Sequence, residues 1–85
     1  MGLERQLKAL ANKRRLAIIK LLNVRSEASV GEIAASIRLS FKATSKHLSI
    51  LSGVDIVDRE QRSKTVFYHL VSPRLSLVKQ VLTLL

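Results

Sequence analysis

The sequence predicts a mostly α-helical fold with one small β-hairpin near its C-terminal end, five helices and a two-stranded wing. Three observations lead there. Apolar residues recur at helical spacing through the first 53 positions. The period changes at Ile56, where two runs rich in β-branched and aromatic residues flank a polar tetrapeptide. Beyond Pro73 the helical spacing returns.

Each element has its own signal. Residues 3–11 place Leu3, Leu7 and Leu10 on one helical face. Asn12 is a good N-cap for a second helix to about Asn23, with Leu16, Ile19 and Leu22 inward. Ser29 with Glu32 three residues later is a capping-box pattern. It opens a short third helix striped by Val30, Ile33, Ala34 and Ile37. A tight break at Leu39-Ser40 follows, and Ser40 caps a fourth helix from Phe41 to about Gly53. Residues 56–60 and 65–70 read as strands around a turn at 61–64. Ser72-Pro73 reads as a cap with proline at the first helical position of a last helix reaching Leu85. Two helices joined by a tight turn and followed by a hairpin make a winged helix-turn-helix, here spanning 1–85 as one domain.

Composition narrows the partner. Fifteen Lys and Arg stand against six Asp and Glu, a formal charge of +9. Such an imbalance in a small domain is the footprint of a polyanion. The chain has no cysteine, which excludes a disulfide scaffold and cysteine-ligated zinc. Its start lacks a signal-peptide layout and a myristoylation pattern, and no apolar run approaches the ~20 residues of a membrane span. A cytoplasmic protein with no membrane partner is expected. An enzyme is not expected: paired carboxylates, nucleophile–base sets, a glycine-rich phosphate loop and a metal cluster are all missing. No cofactor is expected.

The fourth helix points to duplex DNA. At 100° per residue, Ala43, Thr44, His47, Leu48, Ile50 and Leu51 share one arc, and Lys42, Ser45, Lys46 and Ser49 the opposite one. The outer arc carries two long cations, short hydroxyl side chains and no acid, which suits phosphate contact and base-edge hydrogen bonding. An ordinary solvated face would mix Glu with Lys. His47 lies at the arc boundary, open to a packed structural role or a phosphate contact. Phe41 suits a thymine methyl or packing against a neighbouring loop. The wing, 59–65, offers Arg59, Arg62, Ser63 and Lys64 to the flanking backbone or minor groove, although Asp58 and Glu60 flank Arg59. Lys13, Arg14 and Arg15 crowd the N-terminal turn of the second helix against its macrodipole, at about 0.3–1 kcal/mol each when exposed. That cost suggests phosphate contacts for Lys13 and Arg14, or an internal pairing with Glu27 or Glu32. Ser40, at the helix start, completes the candidate set.

A partner copy is suggested by the last helix. Leu75, Leu77, Val78, Val81, Leu82, Leu84 and Leu85 cover an arc roughly 180° wide, where a surface helix needs about 100°. Joined to Leu3, Leu7 and Leu10 of the first helix, the excess would be an exposed apolar patch that a twofold interface buries. The expected interface residues are Leu3, Leu7, Leu10, Leu75, Val78, Val81, Leu82 and Leu85.

A family likeness covers nearly all of the chain. Leu7-Lys8-Ala9-Leu10-Ala11 followed by Arg15-Leu16 resembles the opening of ArsR-type regulators, and Val30-Gly31-Glu32-Ile33-Ala34 their third helix. Leu39-Ser40, then Ser45-Lys46-His47-Leu48 and Ile50-Leu51, is similar to their recognition helix, and Val66-Phe67-Tyr68-His69-Leu70 to their wing strand. The resemblance implies a homodimeric winged-helix repressor that binds a twofold operator through the fourth helix and the wing. Ser29 and Gly31 stand where the family's third-helix metal motif has cysteines. After Glu60 the chain has only His69 among metal-ligating residue types, so neither family metal site is expected. Asp55 replaces a usual glycine, and the wing turn lacks its usual glycine. Two rival readings are a non-specific architectural DNA-binding protein and a winged-helix module that binds another protein.

Overall fold

The computed structural model describes residues 2–85; Met1, included in the expected domain, lies outside the described residues. The elements are α1 (Leu3–Leu10), α2 (Lys13–Arg25), β1 (Ala28–Ser29), α3 (Val30–Ile37), α4 (Phe41–Gly53), β2 (Val57–Arg62), β3 (Thr65–Leu70) and α5 (Ser76–Leu84). Three of the four expected caps, Asn12, Ser29 and Ser40, fall on the residues whose chemistry predicts them. Asn12 Oδ1 accepts from the Arg14 and Arg15 amides. Ser40 Oγ accepts from the Ala43 amide. The Ser29–Glu32 capping box is closed in both directions, at 3.1 and 2.8 Å. The Ser29 amide and the Arg25 guanidinium hold the Glu32 carboxyl below its usual pKa. Arg38 ends α3 in the left-handed region, φ 56, and its amide bonds back to Ala34 and Ala35, so the turn into Leu39-Ser40 is tight.

α2 is the central strut, packed against α1, α3, α4 and β3. Ile18, Ile19 and Leu22 of α2, Ile33 of α3, Leu48 and Leu51 of α4, and Ile56 are fully buried around it. Each such side chain contributes about 1.5–3 kcal/mol over an exposed position. α4 is thereby fixed along one face, and its opposite face is left for other work.

Three details differ from the sequence expectation. The sheet has three antiparallel strands in the order β1-β3-β2, not two, because Ala28 and Ser29 pair with Tyr68 and Phe67. Two residues carry no periodicity, and Ser29 already signals as a helix cap, so only the long-range pairing reveals the strand. The wing strands extend through Arg62 and Thr65, which pair directly, leaving a two-residue loop, Ser63-Lys64. Ser63 takes the positive φ of 58 that a glycine would adopt freely. The last helix begins at Ser76, not at Pro73; the Ser72–Pro73 bond is cis, and Leu75 is the N-cap without a side-chain bond. The connector is tied down on both sides: Val71 N–H donates to the Ile56 carbonyl just before β2, and Arg74 Nη1 donates to Asn23 Oδ1 of α2 at 2.6 Å.

Among the described residues, one buried side-chain polar group has no partner. The Thr44 side chain is fully buried and its Oγ1 makes no hydrogen bond, although its amide is paired with the Ser40 carbonyl. Leaving a buried hydroxyl unsatisfied costs about 1–3 kcal/mol, and valine has the same shape without it. Thr44→Val is therefore expected to raise the melting temperature by about 4 °C or more in a circular-dichroism melt. A lower melting temperature would mean that an internal water serves the hydroxyl.

Candidate nucleic-acid interface

The outer arc of α4 is open. Lys42, Lys46 and Ser49 are exposed and Ser45 is half-buried, while Thr44, Leu48 and Leu51 face the core. Ile50, expected inside, is 38 % exposed at the helix edge, where it lines a cleft with Arg5, Lys8 and Ala9 of α1. Residues 33 to 54 contain no acid, so nothing on α4 neutralises its lysines.

Beside α4 the wing forms the second wall of a groove of about 520 Å³, lined by Phe41, Ser45 and Ser49 on the helix side and by Arg59, Lys64 and Tyr68 on the sheet side. Strand alternation separates the charges of β2. Arg59 pairs in register with Tyr68, whereas Asp58 and Glu60 pair with His69 and Phe67 and so project from the other face. Asp58 uses its carboxylate on the Arg59 amide, not on the guanidinium. Arg59 therefore faces the groove beside Lys64 without a carboxylate among the lining residues. Ser63 is exposed at the wing tip, its carbonyl accepting from Gln61 Nε2. Ser40 is exposed with its oxygen engaged as the α4 cap, and Lys13 is exposed at the start of α2.

Three candidate DNA contacts have other partners. Arg62 alternates to the face opposite the groove, where its guanidinium lies 3.9 Å from the Phe67 ring centroid and bonds to Glu27 Oε2. The Glu27 carboxylate raises the Arg62 pKa further. Arg14 Nη1 donates to the Ile37 carbonyl at 2.8 Å, which places a cation on the last carbonyls of α3. His47 Nδ1 lies 3.1 Å from Arg15 Nη1, and Arg15 also donates through Nε to the Ala9 carbonyl and through Nη2 to that of Lys8. Burial, then the charges of Arg15, Arg14 and Lys46, lowers the His47 pKa and favours the neutral ring. His47 is thus a structural histidine tying α4 to the α1–α2 corner. The clash of cations with the α2 dipole is offset because Arg14 and Arg15 cap the C-terminal ends of two other helices. Neither pairs with Glu27 or Glu32, which bind Arg62 and Arg25. Arg15 is the residue whose importance the sequence understated; its signal was the local excess of cations beside Asn12.

The terminal helices also divide. Leu10 and Val78 are buried within the chain, which leaves them no surface for a partner and corrects their place in the expected interface. Leu75, Val81 and Leu82 are half-buried against the core, whereas Leu3, Leu7, Leu84 and Leu85 stay exposed. The exposure of Leu84 reaches 85 %. Among the described residues, no helix is long and apolar enough to cross a membrane, and no group of three His, Cys, Asp or Glu is placed to hold a metal ion. A separate concavity of about 530 Å³ between α2 and the end of α3 includes no residue of α4 or the wing.

Comparison with known proteins locates this geometry. Residues 12–59 match the model of the bacterial regulatory protein, arsR family. The chain is 40 % identical over 76 residues to the transcriptional activator HlyU of Vibrio cholerae, covering 89 % of this chain and 69 % of that protein. Among solved structures, it superposes on the homodimeric winged helix-turn-helix DNA-binding domain from Mycobacterium bovis with a TM-score of 0.84 at 26 % identity, covering 95 % of this chain and 72 % of the other. The transcriptional repressor BigR from Xylella fastidiosa aligns with a TM-score of 0.77 at 31 % identity, over 92 % and 74 % of the two chains.

Proposed function

The chain belongs to the bacterial ArsR family of regulatory proteins, and from that premise we propose that it regulates transcription as a homodimer that reads double-stranded DNA through α4. The observation that carries the reading is the acid-free, solvent-facing arc of α4, set beside a wing that turns Arg59 and Lys64 toward the same groove. In this reading α4 lies in the major groove. Ser45 and Ser49 reach base edges, Lys42 and Lys46 hold phosphates, and Ser40, Lys13, Arg59, Ser63 and Lys64 contact the flanking backbone. Arg14, Arg62 and His47 support the fold.

The dimer uses the exposed leucines of the two terminal helices. A twofold axis there buries Leu3, Leu7, Leu84 and Leu85, with the half-buried edge of Leu75, Val81 and Leu82 behind them. It also sets two α4 helices about 34 Å apart, matching a near-palindrome with half-sites about 10 base pairs apart. Of the relatives, one carries the name of an activator and another that of a repressor. We assign repression to this chain, as a dimer that covers its operator and so excludes the polymerase.

The test compares the duplex selected from a random library with random duplex over a salt series. A regulator keeps a specificity ratio of about 10³ or more. A steep salt dependence with no ratio would make the chain an architectural DNA binder, and weak binding to both would make it a protein-docking module.

A further inference from the structure

The ring of Phe41 is 63 % exposed at the first position of α4 and belongs neither to the core nor to the residues packed against it. An aromatic ring is among the largest apolar surfaces a small domain has available to bury, and here it is left free for an external contact. Its position is specific. Phe41, Ser45 and Ser49 succeed one another every four residues, which aligns them along one stripe of the helix. All three line the groove that the wing closes with Arg59 and Lys64. Among the described residues, the other exposed large apolar side chains lie away from this stripe: Leu3, Leu7, Val24, Leu84 and Leu85 on α1, α2 and the α5 end, and Ile50 on the α1-facing edge of α4.

This argument rests on the DNA reading above. The wall of a major groove is made of hydrogen-bonding groups, with one apolar feature, the C5-methyl of thymine. An exposed phenyl ring on the reading stripe can match only that group among base edges. We infer that Phe41 reads a thymine methyl, so that each half-site of the operator carries a thymine opposite the N-terminal end of α4. Ser45 and Ser49 then meet the hydrogen-bonding edges of the base pairs that follow along the groove. Sequence preference is divided along α4, apolar at its start and polar beyond.

The experiment uses the whole chain and its selected duplex. Each thymine pair related by the twofold is replaced in turn by deoxyuridine, which removes the methyl and keeps every hydrogen bond. Binding of wild type and Phe41→Ala is measured by fluorescence anisotropy. One pair of positions is expected to weaken wild-type binding roughly 4-fold per methyl, about 15-fold for both half-sites. Phe41→Ala binds the thymine duplex more weakly and does not distinguish uracil from thymine at those positions, while Phe41→Leu retains part of the discrimination. Thermal melts of the variants should match wild type, since the ring is not packed. The assignment is overturned if wild type tolerates uracil everywhere, or if Phe41→Ala keeps the full thymine preference. A chain that selects no duplex at all refutes the DNA reading itself, and this assignment falls with it. Selection that succeeds without a methyl effect refutes this assignment alone.

Discussion

Replacing Lys42 and Lys46 together by alanine is expected to weaken operator binding about 10²- to 10³-fold at 0.1 M salt and to leave the melting temperature unchanged. Both side chains are exposed and neither packs on the core, so folding loses almost nothing. A dimer loses four phosphate contacts. At about 1 kcal/mol net for each, the loss is roughly 4 kcal/mol, close to three decades in affinity. Counterion release supplies an independent signature: the slope of log K against log salt should become shallower by about 3.6, from roughly 0.9 per phosphate contact. The affinity loss should also be nearly the same on selected and random duplex, because phosphate contacts carry no sequence information. Equal binding by the double variant would mean that another surface meets the nucleic acid. A stability loss would mean that the lysines serve the fold.

The second large effect concerns assembly. Leu7→Glu combined with Leu84→Glu is expected to halve the mass seen by light scattering and to lower operator affinity by about 10²- to 10⁴-fold. A dimer binds its second half-site intramolecularly, at an effective concentration that separated monomers cannot reach. The choice of residues matters. Leu82 also lies in the apolar arc of the last helix, but it is half-buried against its own core, so a charge there would confuse unfolding with dissociation. Leu7 and Leu84 are exposed, which keeps the two outcomes apart. Circular dichroism of the variant should show the wild-type helix content. A variant that remains a dimer and binds as tightly as wild type would place the interface on another surface.

Much of the architecture is legible along the chain because its causes act over a few residues. Asn12, Ser29 and Ser40 cap helices through amides two or three positions away, and the Ser29–Glu32 box closes within one turn. The change of period at Ile56 is equally local. The candidate site is legible to the same degree: the acid-free arc of α4 is a property of thirteen consecutive residues. Two failures of local reading have one character. The strand at Ala28–Ser29 exists only through its pairing with β3, and the late start of α5 follows from a connector tied to Asn23, 51 residues from Arg74.

By itself, the order of the residues determined the first four helices and the caps at Asn12, Ser29 and Ser40, the basic face of α4 and the surplus of leucine at both ends. What only the tertiary structure decided is the use of each cation and each leucine. Arg14 and Arg62 carry the same guanidinium as Arg59, and nothing along the chain tells their uses apart. Folding engages both elsewhere, bringing to Arg14 the carbonyl of Ile37 and to Arg62 the carboxylate of Glu27, 35 residues away. Leu10 and Val78 likewise join the core while Leu7 and Leu84 do not. The physical reason is range: capping and periodicity are settled within a turn of helix, whereas the partner of a charge or the cover of an apolar side chain comes from whichever distant segment the fold brings near.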